Sequence, residues 1–583
     1  MLKLIAFALA LLAPAVALAG PGEEAALSKA IGEYEAFQRT DDPMTAGISG
    51  DRAALSRLPD VTPAADAVRR VILQQLLDEL AAIDEAQLSE DSQINHALLQ
   101  RMIGDRLEVV RLDDARLAFT NDSGFHSLMG YMAAVTPMDS EADAIAYITR
   151  LEALPEYYED NIANLRRGIQ TGFTQPRSTT ELVIGQARRQ AAMPVADDPL
   201  LAPRKALPKS IPPQRQAELR ARGQAAMERA RIQQDAFVTF LEDEYLPAAR
   251  EGLGIGSVPG GREYYEWAVR HFTTTDRTPD EIHQIGLAEV RRIRGEMIAT
   301  MAETGFKGTF AEFLAFLRSD PQFYATSRED LLEKASEIAK RIDDQLPRYF
   351  GTLPRLTYGV RPVPADIEED YTTGRYFPGS AKLGVAGGYM VNTSHLDQRP
   401  LYELPALTLH EAVPGHHLQI ALAQELTDVP AFRRNTDMTV FIEGWGLYSE
   451  KLGQEMGIYR NAYERFGRLS YEMWRACRLV ADTGIHWMGW SLDEARRCFT
   501  ENTALAPHNI ETELARYVSW PGQALAYKIG EMKLLELRAR ARDELGDKFD
   551  IRRFHDAVLL EGPLPMDLLE RRIDRWIAAE KTR

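Results

Sequence analysis

The chain has 583 residues and carries 86 acidic against 68 basic side chains, which gives a formal net charge of −18. Such an acidic protein is a poor partner for nucleic acid or for anionic membranes. Its length predicts two or three domains, and its two cysteines allow at most one disulfide.

The first residues, MLKLIAFALALLAPAVALAG, have the pattern of a secretory signal sequence at positions 1–19. Lys3 supplies a positive start, an apolar stretch follows, and Ala-Leu-Ala at 17–19 has the small-x-small pattern that signal peptidase accepts. We therefore expect a periplasmic or secreted protein. No cysteine follows the cleavage point, and no later segment reaches about 18 uninterrupted apolar residues. We expect neither a lipid anchor nor stable membrane insertion after cleavage.

Residues 20–255 are predicted to form a helical N-terminal region. Segments 66–88 and 215–253 place apolar residues at three- and four-residue spacing among good helix formers. Between them, residues 193–213 contain six prolines, which exclude a continuous helix, so this stretch is predicted to be an excursion or linker.

A catalytic region is predicted over residues 256–583, with its boundary in the glycine-rich segment 252–265. Between about 354 and 394 the β-prone pieces PRLTYGVRPVP and GVAGGYMVNTS predict a small sheet. The helical pattern then returns, with helices predicted at 405–425 and 438–456. Whether Cys477 and Cys498 pair with each other stays open. The predicted fold class is mainly α.

A histidine-rich motif, LHEAVPGHHLQ at 409–419, is the strongest signal for chemistry. His410 and Glu411 begin it like the H-E-x-x-H motif of zinc peptidases, but the next histidines are His416 and His417. Three of the 11 histidines therefore fall within eight residues. A catalytic zinc ion needs three ligands from His, Asp or Glu and one open position.

The spacing of these histidines excludes a regular helix through the motif. On such a helix His416 lies about 120° from His410, whereas His417 lies about 20° away but two turns further along. Pro414 breaks this helix, because its ring collides with the carbonyl of His410, and Gly415 allows unusual backbone angles. We expect a bulge that returns a histidine to the metal. His416 is favoured as the second ligand, with His417 as the alternative.

A third ligand is predicted in FIEGWGLYSE, residues 441–450. Glu443 follows His416 by 27 residues in an apolar stretch, where an unpaired carboxylate is costly to bury. Glu450 lies on the same helical face and is expected to accept a hydrogen bond from a ligand histidine. Glu411 is expected to act as the general base, taking a proton from zinc-bound water and passing it to the leaving amine.

Together with GGYMVNTS, DTGIHWMGWS (482–491) and YVSWPGQALAYKIG (517–530), these motifs resemble the bacterial family called domain of unknown function 885. Its members are similar to zinc metallopeptidases of the gluzincin type. More distantly, the chain resembles the helical oligopeptidases and thermostable carboxypeptidases. The resemblance implies a two-lobed helical fold with a small sheet beside the active-site helix, a deep channel between the lobes and one zinc ion per chain. The sequence itself leaves manganese and cobalt open as the metal. It also supports His416 over His417.

The resemblance assigns further roles to residues outside the metal motif. A sheet edge to which an extended peptide substrate adds a strand is implied around Gly387, Gly388 and Tyr389. Tyr527 resembles the phenol that stabilises the oxyanion in related peptidases, and Tyr517 is the nearby alternative.

The remaining candidates have two interpretations each. His486 either hydrogen-bonds the reaction intermediate or packs in the core, while His417 and Tyr517 are further candidates for substrate contact. Arg475 and Arg478 pair either with acidic side chains, which we favour, or with a substrate carboxylate. We expect an exported zinc-dependent peptidase for oligopeptides. A metal-dependent amidase or cell-wall peptide hydrolase, and an inactive periplasmic binding or scaffold protein, are the alternatives.

Overall fold

A computed structural model gives the fold and describes residues 20–134, 136–205, 207–364 and 368–583. The predicted signal sequence, residues 1–19, lies outside the described residues. Within them the protein is mainly helical and contains a small three-stranded sheet next to the histidine motif, as the sequence predicts.

The helices of the first half are α1 Pro21–Asp41, α2 Pro43–Ile48, α3 Pro63–Ala81, α4 Glu90–Leu112, α5 Phe125–Ala134, α6 Glu141–Glu152, α7 Leu154–Thr171, α8 Arg177–Ala192, α9 Ala202–Lys205, α10 Pro213–Phe240 and α11 Leu246–Ala248. Those that follow are α12 Gly261–Thr273, α13 Pro279–Glu303, α14 Phe310–Ser319, α15 Arg328–Asp343, α16 Leu346–Tyr349, α17 Leu404–Glu411, α18 His416–Glu425, α19 Ala431–Arg434, α20 Thr439–Glu455, α21 Ala462–His486, α22 Leu492–Asn502, α23 Pro507–Ser519, α24 Ala526–Leu545, α25 Ile551–Leu559 and α26 Met566–Thr582. The strands are β1 Tyr358–Pro362, β2 Gly374–Phe377 and β3 Gly387–Val391.

The proline-rich segment 193–213 contains short turns and the four-residue helix α9 in place of a long helix. Prolines cannot donate a backbone hydrogen bond, so they interrupt the segment until one of them, Pro213, begins α10 at a position where no donor is needed. The predicted helix 215–253 appears as α10, one π-helical turn at Leu241–Tyr245 and the short α11.

The hydrophobic cores do not follow the boundary predicted at residue 255. The largest core runs from Leu27 to Ile577 and joins α1, α3 and α4 to the helices that follow residue 255. Smaller clusters are formed mainly by residues between Phe119 and Tyr245, with Met44 of α2 in one of them. The first helices are therefore packed with the histidine motif's half of the protein.

Helix α21 lies at the centre of the largest core and is buried continuously from Phe466 to His486. It packs against α13, α17, α20, α22 and α24. A disulfide between Cys477 and Cys498 ties it to α22, which answers the question that the sequence left open.

The sheet has the strand order β1-β3-β2, with β1 parallel and β2 antiparallel to β3. Strand β3 is thus the central strand and pairs on both sides. This corrects the predicted role of Gly387, Gly388 and Tyr389, because a central strand has no free edge to which a peptide can add. The strand β2, which the sequence did not predict, is an edge of this sheet and borders α17.

None of the helices in the described ranges combines the length and the apolar character that a membrane span requires.

Candidate functional site

The histidine motif folds as two helices with a four-residue detour between them. Helix α17 ends at Glu411, and α18 begins at His416 after a cis peptide bond between Val413 and Pro414. Gly415 passes so close to the carbonyl of His410 that a Cβ atom there would lie 1.9 Å from its oxygen. The indole N–H of Trp445 in α20 donates to the Pro414 carbonyl at 2.8 Å and ties the detour to the next helix.

The detour brings two imidazoles to one carboxylate of α20. Oε2 of Glu443 lies 3.3 Å from Nε2 of His410 and 3.5 Å from Nε2 of His416. A tetrahedral zinc ion with bonds of about 2.0–2.2 Å holds its ligand atoms about 3.4 Å apart. These three side chains therefore fit a zinc ion in spacing as well as in chemistry.

Glu450 of α20 orients the imidazole of His410. Its Oε1 lies 2.8 Å from Nδ1 of His410, so the Nδ1–H donates to it and Nε2 faces Glu443. Arg475 of α21 approaches the same oxygen of Glu450 at 3.2 Å. This carboxylate–histidine arrangement is the usual outer support of a metal-binding imidazole.

The charges of the cluster favour an ionised carboxylate beside two imidazoles. Burial alone would raise the pKa of Glu443, but the charge of His416 and the hydrogen bonds of both histidines hold it well below its usual value. Burial lowers the pKa of His410, yet its hydrogen bonds with Glu443 and Glu450 outweigh that effect and raise it to about 9. Glu443 is therefore ionised beside the two histidines.

Glu411 lies beside the two histidines and is held by the edge strand of the sheet. One ligand atom each from His410, Glu411 and His416 lie within 4.8 Å of one another. The backbone N–H of Tyr376 in β2 donates to Oε2 of Glu411 at 2.8 Å. One carboxylate oxygen is thus anchored, which aims the carboxylate without occupying its second oxygen.

His417 points away from the cluster, although it follows His416 directly. The hydroxyl of Tyr376 donates to its Nδ1 at 2.9 Å, and its Nε2–H donates to the Leu356 carbonyl at 3.0 Å. Burial lowers its pKa to about 4, so the ring is neutral. The structure therefore corrects His417 as an alternative ligand and as a substrate contact, because both ring nitrogens are engaged within the fold.

Tyr527, at the beginning of α24, reaches the cluster. Its ring stacks on that of His410 with centroids 6.4 Å apart and planes 18° apart. The guanidinium carbon of Arg478 lies 4.1 Å from the centroid of the Tyr527 ring. This tyrosine therefore lies near both His410 and Arg478.

Two other predicted residues are engaged elsewhere. The hydroxyl of Tyr517 receives hydrogen bonds from Trp474 and Arg478 and donates to Glu513, so it has no capacity left for substrate. His486 accepts the backbone N–H of Ile255 at Nδ1 and donates from Nε2 to the carbonyl of Tyr517. Burial lowers the pKa of His486 to about 3. Both side chains pack in the core, which corrects their predicted catalytic and substrate roles.

A polar stripe along the buried helix α21 positions much of the site and was not recognised as a unit from the sequence. Its members recur at three- and four-residue spacing and so share one face of the helix. They pair with α20, α23 and α24, for example Arg475 with Glu450, Arg478 with Glu513, and Glu472 with Lys528 at 2.8 Å. The stripe consists of Arg468, Glu472, Arg475, Arg478, Asp482 and His486.

The protein belongs to the family described as bacterial protein of unknown function (DUF885), whose model matches residues 43–573. No curated protein matches the chain. A crystal structure from Colwellia psychrerythraea, titled a "putative lipoprotein", has 26% identity and a TM-score of 0.87, and the match covers 97% of this chain and 100% of that one. A structure from Shewanella oneidensis, titled a "putative lipoprotein of unknown function", has 18% identity and a TM-score of 0.69, covering 94% and 99%. The second likeness concerns the fold alone.

A disulfide such as Cys477–Cys498 suits an oxidising compartment outside the cytoplasm. Signal cleavage after Ala19 and the lack of a lipid anchor stay predictions.

Proposed function

We propose that the protein is an exported, metal-dependent peptidase that hydrolyses oligopeptides. The observation that carries this proposal is the convergence of His410, His416 and Glu443, with Nε2–Oε2 distances of 3.3 and 3.5 Å, next to the carboxylate of Glu411. Those three side chains would hold the metal. Zinc is the metal that the donor set favours, because two imidazoles and one carboxylate are the ligands of many zinc hydrolases.

A zinc ion bound there would supply a Lewis acid for the scissile carbonyl and lower the pKa of water toward about 7. The free oxygen of Glu411 accepts the proton of the attacking water, and the protonated carboxyl then donates it to the leaving amine. The backbone N–H of Tyr376 keeps the Glu411 carboxylate in place through both transfers. The phenol of Tyr527 donates a hydrogen bond to the carbonyl oxygen as negative charge develops on it.

The exposure of the cluster favours small substrates. The side chains of His416 and Glu443 are 10% and 18% exposed, and that of His410 is 4% exposed. A short, extended peptide is better suited to such a recessed site than the surface of a folded protein. The deep channel between two lobes stays a prediction.

The test is peptide cleavage by the Glu411→Gln variant. We expect the purified mature protein, supplied with zinc, to cleave members of an oligopeptide library, as followed by mass spectrometry. Glu411→Gln should bind zinc normally and lose at least about 100-fold in turnover, because it removes the proton acceptor but no ligand. Glu333→Gln, an exposed position on α15, is the matched control and should keep full activity.

The outcomes separate the proposed function from its alternatives. Full activity of Glu411→Gln with zinc bound would remove the general base and contradict the proposal. Cleavage confined to non-peptide amides or to cell-wall peptides with unusual linkages would favour the amidase alternative. Zinc binding with no hydrolysis of any substrate would favour a binding or scaffold protein.

A further inference from the structure

A surplus of buried positive charge lies close to the ring of Tyr527. Arg478 of α21 and Arg516 of α23 both pair with one carboxylate, Glu513, whose Oε2 lies 2.9 Å from Nη2 of Arg478 and 3.3 Å from Nη2 of Arg516. The side chain of Arg478 is 3% exposed and that of Arg516 is 14% exposed. Two guanidinium groups thus share a single negative charge in a desolvated place, where an uncompensated charge is costly.

Several N–H groups of these arginines have no hydrogen-bond acceptor within the described part of the chain. They are Nη1 of Arg478 and Nε of Arg516, while Nη2 of Arg516 has only the ion pair with Glu513 at 3.3 Å and the guanidinium lies close to Tyr527. Most buried polar groups in proteins are hydrogen-bonded, so unsatisfied donors of this kind need an explanation. An anion that approaches Arg516 from its exposed side would compensate the surplus charge.

A third arginine extends this positive group toward Glu411. Arg375 lies in β2, directly before Tyr376, whose N–H holds Glu411. Its side chain is exposed, yet the surrounding protein desolvates it. This desolvation lowers the pKa of Arg375, but the nearby Tyr371, Glu411 and Tyr527 raise it above its usual value. Arg375 is therefore open to solvent and lies near both Glu411 and Tyr527.

The distance from the cluster suits a peptide substrate. The ring of Tyr527 lies 6.4 Å from that of His410, and the guanidinium carbon of Arg478 lies 4.1 Å from the centroid of the Tyr527 ring. An extended chain advances about 3.3–3.6 Å per residue. Arg478 therefore lies within about three extended residues of His410.

We propose that Arg375 and Arg516, supported by Arg478 behind them, form a subsite for a carboxylate of the substrate. Guanidinium groups bind carboxylates through paired, charge-assisted hydrogen bonds. The carboxylate is either the free C-terminus of the peptide or an acidic side chain. A catalytic role of this subsite rests on the proposed function. If it binds the free C-terminus, the protein is a peptidase that removes residues near the C-termini of peptides.

Binding to the Glu411→Gln variant tests the subsite without turnover. Isothermal titration calorimetry measures the affinity of short N-acetylated peptides in two matched pairs. The first pair compares a peptide with a free C-terminal carboxylate and the same peptide with a C-terminal amide. The second pair compares two C-terminally amidated peptides, one with a glutamate and one with a glutamine at the same position. We expect the uncharged member of one pair to bind at least about tenfold more weakly, since it loses charge-assisted hydrogen bonds to the guanidinium groups. The pair that shows the difference identifies the source of the carboxylate.

Arginine variants show whether these side chains cause the difference. In Arg375→Gln and Arg516→Gln the preference for the charged peptide should shrink several-fold, whereas Arg70→Gln, exposed on α3 away from the cluster, should retain it. Arg375 is exposed, so its variant is expected to fold even if Arg516→Gln does not. Circular dichroism checks both.

Titrations with and without added zinc separate this subsite from the metal site, because a carboxylate also binds zinc directly. A preference that persists without zinc and depends on Arg375 would support the subsite even if no peptide is cleaved. Equal affinity for both members of each pair, no binding of any peptide, or a preference that is unchanged in Arg375→Gln would overturn it.

Discussion

Gly446 controls how closely His410 approaches helix α20, and its replacement by alanine tests the geometry of the site without removing any ligand. A Cβ atom at this position would lie 2.6 Å from Cε1, 2.8 Å from Nε2 and 2.9 Å from Nδ1 of His410. Carbon atoms in favourable contact are about 3.5–4.0 Å apart, so the imidazole must retreat by about 1 Å.

A retreat of about 1 Å is large compared with the tolerance of the site. The Nδ1–Glu450 hydrogen bond of 2.8 Å would be stretched beyond the usual range, and ligand distances in metal sites vary by only about 0.2 Å. We therefore expect Gly446→Ala to weaken zinc binding by about 10–100-fold, the usual cost of disturbing the support of a metal ligand.

The assay is zinc affinity by competition with a chelator, with folding checked by circular dichroism. Gly295→Ala in α13 is the matched control, because an added Cβ there meets nothing within 4 Å and alanine favours a helix by up to about 1 kcal/mol. It should bind zinc like the unmodified protein. Normal zinc affinity in a folded Gly446→Ala protein would refute the role of His410 as a ligand held against α20.

Three further predictions concern other parts of the structure. Tyr527→Phe should lower kcat by about 100-fold or more at unchanged zinc content, because the phenol donor is lost; full activity would remove this residue from the mechanism. Replacing Cys477 and Cys498 together by alanine should lower the free energy of unfolding in urea by about 3 kcal/mol, since the disulfide spans 21 residues; unchanged stability would contradict this. Burial raises the pKa of Asp482 from 3.8 to about 7 against hydrogen bonds from Tyr265 and Gly522, so the folded form takes up a proton more readily than the unfolded chain. As the pH rises from about 4 to about 7, the free energy of unfolding of the protein should therefore fall by up to about 4 kcal/mol relative to that of Asp482→Asn. A difference between the two proteins that does not change with pH would contradict this.

The helix break at the histidine motif could be predicted because its cause is local. Pro414 cannot continue the helix that carries His410, and Gly415 is needed where the chain passes the His410 carbonyl. The same local reasoning placed Glu443 and Glu450 on one helix near the histidines.

The strand order could not be predicted, because it depends on a strand that is too short to recognise. Strand β2 has only the four residues GRYF, below the usual strand length, and it makes β3 the central strand. The predicted peptide-binding edge at Gly387 to Tyr389 failed for this reason.

The buried polar stripe of α21 was missed because its partners are distant in sequence. Charged residues at helical spacing usually form a solvated face. Here Arg475 pairs with Glu450 and Arg478 pairs with Glu513, so the buried charges are compensated only in the folded protein. His486 belongs to the same stripe, and its hydrogen bonds to backbone groups could not be read from its neighbouring tryptophans.

The measurement that tests the central claim most directly is the metal content of His416→Gln and His417→Gln, compared with the unmodified protein by elemental analysis after zinc is supplied. The two histidines are adjacent in sequence, but only His416 lies near Glu443, at 3.5 Å. We predict about one zinc ion per chain in the unmodified protein and in His417→Gln, and greatly reduced zinc in His416→Gln. Equal zinc in both variants, or the loss of zinc in His417→Gln alone, would contradict the site described above.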